Sequence, residues 1–153
     1  MANETNTSLV DKAKSITGQG IRASGNVYCT LANTPRLLPP WLSMGAHLLR
    51  SSSLSPRQRE LIILRTTALV GASYPFTQHV RIGGEHGLGT DAVSAVHNGP
   101  QDPFWSADER ALLNVVDELI AGGSIGDASW NALRARASTP QILDCIVTVA
   151  FYR

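Results

Sequence analysis

The sequence predicts an all-α fold, and three observations carry that prediction. Apolar residues recur at helical spacing through most of the chain. No segment alternates apolar and polar residues with the period of two that a half-buried strand requires. Helix starts are marked by Ser or Thr followed by Pro or an acid, and helix stops by Gly.

The elements follow in order. Residues 1–24 are polar and rich in Gly and Ser, with a weak helical pattern at Leu9-Val10-Asp11-Lys12-Ala13, and are expected as a flexible arm. Residues 25–153 are expected as one helical domain. A short helix spans Asn26 to Ala32 and ends before Pro35. Pro39-Pro40 open the next, because proline's missing N–H would be unpaired in a first turn anyway. Ser55-Pro56-Arg57-Gln58 combines an N-cap, a proline and a reciprocal capping residue, and predicts a helix to about Val70 that Gly71 stops. Its apolar residues cover nearly every side, which marks a central, buried helix. A further helix begins at Pro75, carries Phe76, His79 and Val80, is weakened by Gly83-Gly84 and ends at Gly87. Thr90 is expected to cap a short helix through Val96, and Asn98-Gly99-Pro100 breaks the chain. Ser106-Ala107-Asp108-Glu109 is a full capping box, and Gly122-Gly123 closes its helix. A helix with Trp130 and Leu133 follows. Thr139-Pro140 start the last one, which reaches Arg153 without a stop signal, as in a chain cut there or an end covered by a neighbouring subunit.

Composition excludes several function classes. The chain has 153 residues, enough for one domain with a real core. Thirteen basic and 12 acidic residues leave a net charge of +1, without a basic stripe interleaved with aromatics, so nucleic acid is not an expected partner. No apolar run approaches a membrane span, and the N-terminus lacks a signal peptide's apolar core. The expected location is cytoplasmic. Cys29 and Cys145 sit in neither a CxxC pair nor a metal-ligand spacing, and are expected as two reduced, buried thiols. No cluster of ligand types suggests a metal or another cofactor, and no HExxH, GxSxG, GxGxxG or P-loop pattern is present.

Two residues stand out chemically. Glu60 lies inside the most apolar helix, where a carboxylate must be paired, hydrogen-bonded or protonated. Burial raises a carboxyl pKa and a nearby cation lowers it, so such a group is tuned, as acid–base work requires. The competing reading is a structural salt bridge to Arg57, Arg65 or another base. His79 shares an apolar helix face with Phe76 and Val80 and can take or give a proton near neutrality. The competing reading there is a satisfied core histidine. In a hairpin turning at Gly71, Glu60 and His79 lie about eleven and about eight residues from the turn, an offset of roughly one turn at ~1.5 Å per residue. Crossed helices or long side chains would close it. His47, His86 and His97 have weaker claims.

These residues also carry a resemblance. The series Leu54-Ser55-Pro56-Arg57-Gln58-Arg59-Glu60-Leu61, Ile62-Ile63-Leu64-Arg65, Gln78-His79 and Gly87-Leu88 resembles the core of carboxymuconolactone decarboxylase-like proteins, whose relatives include the alkylhydroperoxidase D group. The likeness continues through Trp105-Ser106-Ala107-Asp108-Glu109-Arg110-Ala111-Leu112 and Val116-Asp117-Glu118-Leu119, and covers about Pro35 to Arg153. It implies an alkylhydroperoxidase D-like helical bundle, a homotrimer or homohexamer with its pocket near a subunit contact, and Glu60 and His79 as the proton-handling pair. The peroxidase branch carries Cys-x-x-Cys-x-x-x-His; here that stretch is Ala72-Ser73-Tyr74-Pro75-Phe76-Thr77-Gln78-His79, with neither cysteine. Many decarboxylase-like relatives carry Glu at the place of Pro75 and often Cys at the place of Ala72.

The function implied is a cofactor-independent decarboxylase, lyase or isomerase acting on a small oxygenated carboxylic acid or lactone. His79 is expected as proton donor or shuttle, and Glu60 as the group that sets its tautomer. Tyr74 and Gln78 are expected as pocket donors, and Arg65 as a holder of the substrate carboxylate or as an ion pair for Glu60. The rival reading, favoured by Ala72 and Pro75, is a non-catalytic member that binds a small ligand or serves as an assembly partner.

Overall fold

A computed structural model describes residues 26–31 and 33–153. The expected arm, residues 1–24, lies outside the described residues. The chain divides into two compact units, Met1–Ser51 and Ser52–Arg153. In the first, α1 (Asn26–Leu31) and α2 (Leu38–Ala46) are followed by a π-helical turn, His47–Ser51. Leu38 and Leu42 are buried there, with Leu31 and Trp41 packed against them. The two prolines stand in the first turn of α2 as expected.

The second unit holds α3 (Pro56–Leu69), α4 (Ser73–Gly84), α5 (Thr90–Asn98), α6 (Ala107–Gly122), α7 (Asp127–Arg134) and α8 (Thr139–Tyr152). All described secondary structure is helical. Helix α3 is central. Eight successive residues, Glu60 to Thr67, are buried. Ile62 joins a cluster with Leu112, Val116, Leu133, Cys145 and Val149 from α6, α7 and α8. Leu61 and Leu64 face a second cluster with Leu88, Val96, Trp105 and Leu113. Each fully buried Leu or Ile contributes about 1.5–3 kcal/mol, and a helix with two opposite cores has no polar face left to offer water.

Local chemistry places the helices. The capping boxes of α3 (Ser55 with Gln58) and α6 (Ser106 with Glu109) form as the sequence predicts. A third, Ser138 with Gln141, opens α8, which starts at Thr139 as expected. Helix α4 starts at Ser73, two residues before Pro75. Proline is tolerated there because none of the first four N–H groups of a helix has an intrahelical acceptor. Thr90 is the first residue of α5 and not its cap; Gly89 holds the cap position, with no side-chain bond. Asp144 of α8 accepts from the Ser53 amide at 2.6 Å and the Ser52 hydroxyl at 3.1 Å, which ties α8 to the approach of α3. Gly83 lets α4 lie close to its neighbours, since a Cβ there would stand 3.4 Å from side-chain atoms of Leu64 and Leu88. No described helix is long and apolar enough to cross a membrane.

Candidate active site

The α3–α4 hairpin brings the two singled-out residues together. Glu60 is fully buried and His79 is 7 % exposed. Glu60 Oε2 lies 2.6 Å from His79 Nδ1, within the range of a strong, charge-assisted hydrogen bond. The one-turn offset expected from residue counting does not keep the two side chains apart. Among the described residues nothing hydrogen-bonds the second ring nitrogen of His79, Nε2. The His79 ring also meets the ring of Tyr152, from α8, edge to face at 5.1 Å and 87°. All of these residues belong to the second compact unit.

The other oxygen of Glu60, Oε1, accepts from Arg59 Nε at 3.0 Å. The salt-bridge reading named Arg57, Arg65 or another base, and the structure supplies the other base, Arg59. Successive residues on a helix point about 100° apart and are poor partners by spacing alone. Arg57 instead binds Glu109 at 2.7 Å. Burial works to raise the Glu109 carboxyl pKa, but hydrogen bonds from Arg57 and Ser106 outweigh it and hold the group below its ordinary value.

Arg65 is not brought to the pair. Its Nε and Nη2 each donate to Asp117 at 2.7 Å, and Nη1 donates to the Val96 carbonyl at 2.6 Å. It is a bidentate clamp joining α3, α5 and α6. Its charge is already balanced by Asp117, which removes the physical basis for expecting it to hold a substrate carboxylate. Tyr74 and Gln78 stand one turn apart on the exposed side of α4, beside the buried side that carries His79. Arg59 and Tyr152 are the residues that sequence reasoning did not single out. The only available signal for Arg59 was its adjacency to Glu60, and Tyr152 gave none.

Cys145 is buried and unpaired, and burial pushes its thiol up to about 12. The side chain of Cys29 lies outside those described. Among the described residues no three His, Cys, Asp or Glu side chains gather as metal ligands. An open groove between α6 and α7, lined by Ala107, Arg110, Asn114, Ala132 and Arg136, includes neither Glu60 nor His79.

The arrangement can move one proton. With Nδ1–H held by Glu60, the lone pair of neutral His79 points from Nε2, and the imidazolium offers its second proton there. That is a single-nitrogen acid or base whose orientation is fixed by a buried carboxylate.

Comparison with known proteins agrees with this architecture. A crystal structure of a protein of unknown function from Agrobacterium tumefaciens, suggested there to be the antioxidant defence protein AhpD, superposes with a TM-score of 0.74 at 22% identity. The match covers 80% of this chain and 85% of that one, and establishes a shared fold. No curated protein matches the chain. The family model for the carboxymuconolactone decarboxylase family matches residues 35–118, more than half of the sequence and both members of the Glu60–His79 pair, and the chain belongs to that family.

Proposed function

We propose that this protein is a cofactor-independent acid–base enzyme, a decarboxylase, lyase or isomerase, acting on a small oxygenated carboxylic acid or lactone. The observation that supports this is the 2.6 Å contact of buried Glu60 with His79 Nδ1, which leaves Nε2 as the reactive nitrogen. Nε2 is not among the buried unpartnered atoms of the described residues, so it reaches solvent, where a substrate can meet it.

In the decarboxylation form of this reading, the bond between the substrate carbon and its carboxylate breaks and CO2 leaves. The electron pair flows into a conjugated carbonyl of the substrate itself and makes an enolate. His79 then gives its Nε2 proton to the carbon, and Glu60 stabilises the imidazolium beforehand and reorients the neutral ring afterwards. The isomerase form uses the same nitrogen first as base and then as acid. Self-association into a homotrimer or homohexamer is part of the proposal. The exposed apolar side chains Leu69, Val70 and Tyr74 around the α3–α4 turn support it, and light scattering on the purified chain reads it out.

The antioxidant role suggested for the Agrobacterium tumefaciens protein transfers poorly. Thiol peroxidase chemistry needs an accessible thiolate, and here Ala72 and Pro75 occupy the two positions of the Cys-x-x-Cys motif. The same two replacements favour a second reading, a non-catalytic binder on the same scaffold. One experiment separates them. CO2 release is measured on a panel of carboxylated lactones and β-keto acids with wild type and His79→Ala side by side. Proton transfer by His79 requires turnover that falls about 10²–10⁴-fold in the variant. Turnover that survives His79→Ala sinks the assignment, and no turnover on any member of the panel leaves a different substrate or the binding protein.

A further inference from the structure

We propose that Arg59 is the anchor for a ligand carboxylate in this site, so that the ligands it selects are small carboxylate anions and not their neutral counterparts. The role of the bound ligand rests on the acid–base reading above; the binding itself does not.

The argument starts from donors. A guanidinium has five N–H groups and no acceptor. The Arg59 side chain is only 11% exposed, and one of its groups, Nε–H, goes to Glu60 Oε1. Among the described residues nothing accepts from Nη1 or Nη2. Both groups reach solvent, since Thr66 Oγ1 is the only buried side-chain polar atom without a partner among the described residues, so a ligand oxygen can replace water on them. The other two arginines of α3 are more fully engaged within the protein. Arg65 uses all three nitrogens, on Asp117 and Val96, and Arg57 uses Nε on Glu109 and Nη1 on the Gly87 carbonyl. Arg59 alone on this helix keeps an unused, planar fork.

The chemistry of that fork selects its ligand. Two parallel N–H groups on a planar cation match the two oxygens of a carboxylate, which is the geometry arginine recognises best. The neighbouring Glu60 carboxylate already receives Nε, so the fork is held in place by the group that also orients His79. Arg59 and His79 hang from the two oxygens of one carboxylate. A ligand whose carboxylate seats on Nη1 and Nη2 is then fixed to the residue that shares the Glu60 carboxylate with His79. An ester or amide of the same acid lacks the second anionic oxygen and loses the bidentate pair.

The test measures binding and not turnover. Acetoacetate and a five-membered lactone carboxylate, each with its methyl ester, are titrated into the purified full-length protein by calorimetry. Wild type is expected to bind at least one acid more tightly than its ester. Arg59→Gln is expected to raise the Kd of that acid about 30-fold and leave the ester unchanged, with Arg59→Lys in between. Because Arg59→Gln strands the charge of Glu60, the double variant with Glu60→Gln is measured too, and thermal unfolding confirms that each variant is folded. Wild-type protein that shows no preference for acid over ester, including binding of neither, overturns the proposal. So does a folded Arg59→Gln that keeps the affinity of wild type. His79→Ala separates this proposal from the proton-transfer reading. It is expected to keep the acid's Kd, so a variant that still turns over substrate defeats the role of His79 and leaves Arg59 as the anchor.

Discussion

Arg59 and Arg65 lie less than two turns apart on α3, both nearly buried, yet they belong to different parts of the protein's economy of charge. Arg65 is closed: every nitrogen is bonded, its charge is matched by Asp117, and it locks three helices together. Arg59 is open: one nitrogen holds Glu60 and two hold nothing among the described residues. The difference teaches how to read a buried cation. A guanidinium with every nitrogen bonded and its charge matched is architecture, because its partners already come from the protein. An open one that shares a carboxylate with a histidine is where the proposed ligand site is sought.

The largest effect that sharpens this contrast is on stability. Asp117→Ala leaves Arg65 buried without its counter-charge and is expected to cost about 3 kcal/mol in urea unfolding. The NMR titration of His79 should not change with it. A shift there would mean that the clamp and the site are one network and would break the comparison.

The next effect is smaller and depends on pH. Glu109 caps α6 and accepts from Arg57 on α3, and its carboxyl pKa is held below the ordinary value despite opposing burial. A carboxyl group with a lowered folded pKa stabilises the protein above its unfolded pKa, near 4.3, and that contribution disappears as the pH falls through the folded value. Glu109→Gln is therefore expected to lose about 1 kcal/mol at pH 7, a modest figure because the pair is partly solvent-screened. The gap between variant and wild type should close in acid. An equal gap at pH 7 and pH 3 would assign the loss to packing and not to charge.

The smallest expected effect is none. With Cys29→Ser as background, Cys145 should resist iodoacetamide at pH 8 until denaturant is added, because the thiol is fully buried and its pKa is pushed up to about 12. Modification at the rate of a free thiol would show that the core around Ile62 and Val149 opens readily, and the site's rigid frame with it.

Much of this molecule was legible in the sequence. Ser55 with Gln58 and Ser106 with Glu109 announced their helices through chemistry that is complete within four residues. The apolar girdle of α3 announced its central place, and Glu60 announced itself as the one carboxylate inside that girdle. The resemblance in the segment from Leu54 to Leu88 added His79 as its companion. The starts of α4 and α5 were read a residue or two away, because Pro75 and Thr90 suit the first turn as well as the boundary.

What the sequence by itself determined was therefore the local: helix ends, the all-α class and the two residues, Glu60 and His79, that the fold brings together. Only the tertiary structure decided which base each acid would meet. The sequence offered Arg57, Arg65 or another base to Glu60, and the guanidiniums of Arg57 and Arg65 found Glu109 and Asp117, acids distant in sequence on α6. Arg59 was left for Glu60, and α8 delivered Tyr152 onto His79. Pairing between long side chains depends on which helices lie side by side, and that is set by the burial of the whole core, not by the neighbours of any one residue.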